Sequence, residues 1–145
     1  MTLLRLDHVG LVVKDMDRAV AFFGALGLEV EGRATIGGEW VDRLCALENT
    51  DCDIVLMRAP DGSGKIELAQ YRSPMAEAHD TRTEITAPGL RSVMFEVDNI
   101  HAVLSRLKEF GGELVGDVAQ YEDQYLLAYV TGPAGMVVAL AEAIQ

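Results

Sequence analysis

The chain lacks any apolar run approaching the roughly 20 residues that a membrane-crossing helix requires. Basic residues are scarce: 12 Lys and Arg stand against 23 Asp and Glu, for a formal charge of −11. Nucleic-acid binding needs a basic face, so that class is excluded. The acidic balance serves solubility and favours a cationic ligand only weakly. Cysteine is nearly absent. Cys45 and Cys52 match neither a redox Cys-x-x-Cys nor a zinc knuckle, and we expect buried free thiols in a reducing compartment. The opening residues, Met1 to His8, lack the basic-then-apolar order of a secretory signal, which leads us to expect a cytoplasmic protein. Low-complexity segments are missing too. Gly62-Ser-Gly64 leads into no Gly-Lys-Ser/Thr and is no phosphate loop, no Gly-x-Ser-x-Gly elbow occurs, and neither cysteine sits in a nucleophile motif.

Half of the 145 residues are apolar, which excludes disorder and allows one domain with a real core. That core is announced by an internal repeat. Val13–Gly32 aligns without a gap on Val97–Gly116, 84 positions later. Met16, Ala19, Val20, Phe23 and Leu26 fall on Ile100, Val103, Leu104, Leu107 and Phe110; Asp15 falls on Asn99 and Gly27 on Gly111. A repeat fixes the architecture before any single element is argued.

Leu4 to Val13 alternates, with Leu6, His8, Gly10 and Val12 on one face and Val9, Leu11 and Val13 on the other, as a strand does. Asp15 offers an N-cap, the apolar stripe 16, 19, 20, 23, 26 predicts a helix, and Gly27 stops it. Strands are expected over 28–33, 52–58 and 65–71, with turns at 37–39 and 60–64, and 40–47 open between a short helix and a bent strand. The second half repeats the order: a strand over 90–97, a helix over 100–110, and strands over 113–120, 125–130 and 136–141. Module 1 spans about 1–71, module 2 about 89–145, and 72–88 is a polar linker within a single domain. Each module is too small to bury its own sheet face, so two side by side are expected to make an α+β fold, a cup-shaped mixed sheet with the helices outside. A concave sheet face is a ready ligand site.

The segments Leu6-Asp-His-Val-Gly-Leu-Val-Val13, Phe22-Phe-Gly-Ala-Leu-Gly-Leu28 and Gly132-Pro-Ala-Gly-Met-Val-Val-Ala-Leu140, set in two βαβββ modules, resemble the vicinal oxygen chelate superfamily over essentially the whole chain. That group includes glyoxalases, methylmalonyl-CoA epimerases, extradiol dioxygenases, fosfomycin-resistance enzymes and bleomycin-resistance binding proteins. The resemblance implies a divalent metal (Zn, Ni, Mn or Fe) held in the cup by side chains from the first and fourth strands of each module, to stabilise an enediolate or activate dioxygen. It also implies a homodimer. Carried over, the first module supplies His8 and Glu67. The second supplies Ser92, 84 positions after His8, and Ala139, which cannot ligate.

Two of four ligands therefore remain. The missing pair, the small residues at 92 and 139 and the acidic charge point to a protein that holds a small molecule in the cup, in a sequestration or resistance role, with His8 and Glu67 orienting the ligand. The alternative is a metal-dependent lyase, isomerase or dioxygenase using His8 and Glu67 as metal ligands, or metal-free catalysis with Glu67 as base and His8 as its partner. Trp40, Arg43, Tyr71, Ser92, Met94, Tyr125 and Ala139 are candidates for lining the ligand, with Tyr121 and Tyr129 near Tyr125 at the mouth. Met57 and Met94 read as packing residues, His79 and His101 as solvated, and Arg43 and Arg91 as surface residues able to anchor an anion.

Overall fold

The computed structural model describes residues 2–75 and 85–145. The chain divides into two compact units, Met1–Ala78 and His79–Gln145, and the division falls within the expected 72–88 linker. Part of that linker, with His79, lies outside the described residues.

The first unit runs β1 (Val9–Val12), α1 (Met16–Leu26), β2 (Glu29–Gly37), α2 (Glu39–Cys45), β3 (Asp51–Arg58) and β4 (Lys65–Ser73). The second runs β5 (Ser92–Glu96), α3 (Ile100–Lys108), β6 (Ala119–Tyr121), β7 (Tyr125–Thr131) and β8 (Val137–Ala143), with a 3-10 turn at Pro133–Gly135. Each unit holds one four-stranded mixed sheet, in the orders β1-β4-β3-β2 and β5-β8-β7-β6, where the first pair is parallel and the others antiparallel. The strand–helix–three-strand order is the one the repeat predicts.

Both helices start as their sequences dictate. The Asp15 carboxylate accepts from the Arg18 amide and the Asn99 side chain from the Ala102 amide, each satisfying a donor the helix cannot. A second acceptor arrives from the fourth strand. Gln70 Oε1 accepts from the Met16 amide at 3.1 Å, and Glu142 Oε1 from the Ile100 amide at 2.8 Å. Gln70 also donates to the Lys14 carbonyl, so it clamps the β1–α1 turn. Gly27, at φ +124°, ends α1 in a conformation that side chains rarely adopt.

These contacts fix which sheet face is which. Side chains alternate along a strand, so Gln70 marks Ile66 and Leu68 as the helix-bearing face, and Glu142 does the same for Val138 and Leu140. The core sits there. Phe22 and Phe23 meet edge to face at 5.3 Å and are buried with Val55, Met57, Ile66 and Leu68; Ile100, Val103 and Leu107 are buried with Ala128, Val130, Val138 and Leu140. Each such large side chain contributes about 1.5–3 kcal/mol on burial. Helix α1 packs on β4 and β2, and α3 on β7 and β8.

Several expectations need correction. β1 begins at Val9, since its ladder with β4 starts at Val9–Ile66, so His8 stands just before the strand. β2 continues to Gly37, and residues 39–45 form helix α2, so Glu39 opens a helix where a turn was expected. Of the expected 113–120 strand only Ala119 and Gln120 join the sheet, in a short strand that ends at Tyr121, with Leu114 making one isolated bridge to Val130. Phe22 rather than Val20 completes the buried stripe of α1. Cys52 is buried as expected, whereas Cys45, at the end of α2, is only half-buried.

Candidate functional site

On the first sheet, the face away from α1 carries Gly10 and Val12 of β1, Glu67, Ala69 and Tyr71 of β4, and Cys52, Ile54 and Leu56 of β3. Parallel pairing sets Glu67 beside Gly10. A Cβ at Gly10 would meet nothing within 4 Å, so the space over β1 beside the carboxylate is open. His8 reaches the same place from the chain entering β1, with its Nε2 3.5 Å from Glu67 Oε2. The two side chains, 34% and 32% exposed, are partly sheltered yet reachable. The other imidazole nitrogen, Nδ1, lies 2.8 Å from Asp7 Oδ2, and Asp7 Oδ1 is 3.3 Å from an Arg5 guanidinium nitrogen. The hydrogen bond from His8, with the charge of Arg5, holds the Asp7 carboxyl below its ordinary value.

Tyr71 sits two positions beyond Ala69 on the same row, opposite Cys52. Burial pushes its hydroxyl pKa up, with a hydrogen bond to the Cys45 thiol adding to the rise. Burial also pushes up the Cys52 thiol, which suits a packing role rather than a nucleophile. Trp40, 59% exposed, and Arg43 project from α2, which packs on β2 at the opposite edge of this sheet from β1.

The second sheet repeats the arrangement with different chemistry. Its face away from α3 carries Ser92, Met94 and Glu96 of β5, Val137, Ala139 and Ala141 of β8, and Tyr125, Leu127 and Tyr129 of β7. Ala139 stands beside Met94, which lies 84 positions after Gly10, so it holds the register slot that Glu67 holds in the first sheet. It is only 1% exposed, flanked along the row by Met94 and Tyr129. Met94 itself is 54% exposed, contrary to the expected packing role, because alternation turns it away from α3. Met57, by contrast, is fully buried. Ser92, Tyr121 and Tyr125 are exposed, as is His101 on α3, while Arg91 is half-buried rather than a surface residue.

A divalent metal of the kind the resemblance implies would draw on these slots. The first sheet offers an imidazole nitrogen and a carboxylate; the second offers a serine hydroxyl and a methyl group. Among the described residues no group of three or more His, Cys, Asp or Glu is placed to hold an ion. This donor set falls short of the three protein ligands that hold a catalytic zinc and does not fit one.

A groove of about 670 Å³ lies elsewhere on the first unit, between the start of α1 and strands β2 and β3. Lys14, Arg33, Asp17 and Asp53 line it, and neither His8 nor Glu67 does. Its lining mixes both signs of charge and selects no ligand class.

Sequence reasoning brought His8 and Glu67 together. It missed Asp7, whose signal was adjacency to His8, and the β3 residues Ile54 and Leu56, which register alone reveals.

Comparison with known proteins places this geometry. A family model described as the glyoxalase/bleomycin resistance protein/dioxygenase superfamily matches residues 7–129. A glyoxalase family protein from Bacillus cereus is 41% identical, with a TM-score of 0.95 over 100% of this chain and 97% of its own. An antibiotic binding protein from a Streptomyces species superposes at a TM-score of 0.60 with 16% identity, over 99% of this chain and 98% of its own. A fosfomycin resistance protein from Listeria monocytogenes does so at 0.62 with 15% identity, over 98% and 95%. At those identities the last two show a shared fold alone. No curated protein matches the chain. No helix among the described residues is long and apolar enough to cross a membrane.

Proposed function

This chain belongs to the glyoxalase/bleomycin resistance protein/dioxygenase superfamily, and from that premise we propose that it is a cytoplasmic small-molecule-binding protein that holds its ligand beside His8 and Glu67 without a resident metal. The observation that carries the reading is the buried alanine in the register slot that Glu67 occupies in the other sheet. Metal chelation by this fold calls on donors from both modules, and the second has given up its carboxylate position. What remains in the first module is a polar pair at the rim of an apolar row, with open space over Gly10. Such a row of apolar groups with a few polar ones suits recognition of an organic ligand. A sequestration or resistance role for the bound molecule is part of this proposal; the antibiotic binding protein of the same fold shows only that the fold can serve binding.

We read the protein as a homodimer. Each sheet ends on a short parallel edge strand, β1 or β5, with Val12 or Met94 exposed, and unpartnered edges invite pairing with a second chain.

The test is a titration of isotope-labelled protein with aromatic natural-product antibiotics, followed by nuclear magnetic resonance. The reading expects at least one compound to shift His8 and its neighbours, to be recovered unchanged, and to lose binding on Glu67→Ala. Turnover of the compound instead would favour the second reading, metal-free acid–base catalysis with Glu67 as base. The 3.5 Å approach of His8 Nε2 to Glu67 supports that second reading.

A further inference from the structure

We propose that Asp7 is a positioning residue that holds His8 with its proton on Nδ1, so that Nε2 presents a lone pair toward Glu67 and the ligand. The inference rests on the His8–Glu67 site proposed above and specifies what that site asks of its ligand.

Asp7 Oδ2 lies 2.8 Å from His8 Nδ1. An ionised carboxylate can only accept, so Nδ1 must carry the hydrogen. Arg5 stands 3.3 Å from Oδ1, so both oxygens of the Asp7 carboxylate face donors. In the neutral ring the remaining nitrogen then has no hydrogen to give. Nε2 nonetheless points at another acceptor, Glu67 Oε2, across 3.5 Å. Two lone-pair groups facing each other at that distance call for something between or beside them that brings hydrogens or positive charge. In this neutral form the pair favours a ligand head group that donates hydrogen bonds, such as an ammonium, an amidinium or a hydroxyl. The relay Arg5–Asp7–His8–Glu67 also runs inward, from the most exposed side chain to the most sheltered. This is the order expected of outer groups orienting an inner one.

The residue is placed for this role by a local irregularity. Strict alternation would turn residue 7 to the face opposite residue 8. The chain joins the β4 ladder only at Val9, so Asp7 lies outside the pleat and folds back onto its neighbour.

The experiment is a long-range proton–nitrogen spectrum of the full chain labelled at histidine nitrogen, taken where the imidazole is neutral. The wild-type His8 signal is expected to show hydrogen on Nδ1 and a bare Nε2. Asp7→Asn is expected to move the population to the Nε2–H form that free histidine prefers, Asp7→Glu to restore the wild-type pattern, and all three proteins to melt within a degree or two of one another. A wild-type His8 in the Nε2–H form overturns the proposal, as does an Asp7→Asn spectrum identical to wild type. The readout needs no ligand. A failed antibiotic titration with the Nδ1–H form intact therefore removes the binding reading and leaves the role of Asp7 standing, and the reverse result does the opposite.

Discussion

Glu67 and Ala139 hold the same place in two copies of one sheet, Glu67 beside Gly10 on β1 and Ala139 beside Met94 on β5. One is a half-exposed carboxylate and the other a buried methyl, so the two sheets offer different chemistry at the same register position.

Restoring the carboxylate is predicted to fail. Ala139 is buried between Met94 and Tyr129 on its row, so Ala139→Glu forces a charge into space that has closed around a methyl. We expect a loss on the order of 3–5 kcal/mol, the scale of an uncompensated buried charge. Urea unfolding of the variant measures it. Wild-type stability would mean that the slot is open and the second module still able to accept a ligand side chain.

The clamps at the helix starts are predicted to be separable from the caps. Gln70→Ala removes the acceptor for the Met16 amide and the donor to the Lys14 carbonyl. It is expected to cost about 1–2 kcal/mol. Gln70→Glu keeps the acceptor, as Glu142 does in the second unit, but not the donor, and falls between. Thermal melting of the three proteins orders them.

Two glycines of similar appearance behave oppositely. Gly24 lies within α1, where an added methyl would meet nothing within 4 Å, and Gly24→Ala is expected to stabilise by about 0.5–1 kcal/mol through helix propensity. A Cβ on Gly37 would stand 2.8 Å from the Thr50 carbonyl oxygen, a backbone atom that cannot swing away. Gly37→Ala is expected to destabilise by about 1–3 kcal/mol. Equal effects from the two would refute the close approach of β2 to Thr50.

Acid sensitivity is predicted to pass through Arg72. Its guanidinium bonds both oxygens of Asp51 and also engages Asp53. The Arg72 contact holds the Asp51 carboxyl below its ordinary value. A carboxylate lowered on folding stabilises above its unfolded pKa, near 3.9, and loses that contribution as pH falls through the lower folded value. The melting temperature of wild type should therefore exceed that of Arg72→Gln at neutral pH, with the gap closing below roughly pH 3. A gap that persists unchanged into acid would mean that Arg72 acts by packing alone.

Much of the fold was legible. The Asp15 and Asn99 caps, the two helices and the repeated strand–helix order are local signals that the structure realises, while the apolar stripes are realised in part: Val20 and Leu104 are only half-buried and Phe110 is exposed beyond the end of α3. Helix α2 was legible only as one of two alternatives: Trp40, Leu44 and Leu47 recur at i, i+4 and i+7, yet that stripe is exposed and only Val41 of the helix is buried, with the segment tied down by the Asp42 carboxylate accepting from the Thr50 amide. The short β6 was hidden because an edge strand pairs only as far as its neighbour allows, and Leu114 and Val115 reach β7 through isolated bonds instead. At the site, the family resemblance pointed to His8 and Glu67, and the 84-residue repeat to Ser92 as the counterpart of His8. Sequence could not reveal that Ala139 is buried beside Met94 and Tyr129, since those neighbours come from other strands, nor that Asp7 turns onto His8, since alternation argues the other way.

The central claim is a ligand site without a resident metal, and metal content tests it most directly. The untagged protein, purified without chelator, would be incubated with zinc, nickel, manganese and ferrous iron, desalted, and analysed by mass spectrometry. The account predicts no ion retained in stoichiometric amount. About one ion per chain, lost on His8→Ala or Glu67→Ala, would contradict it and return the pair to metal chemistry.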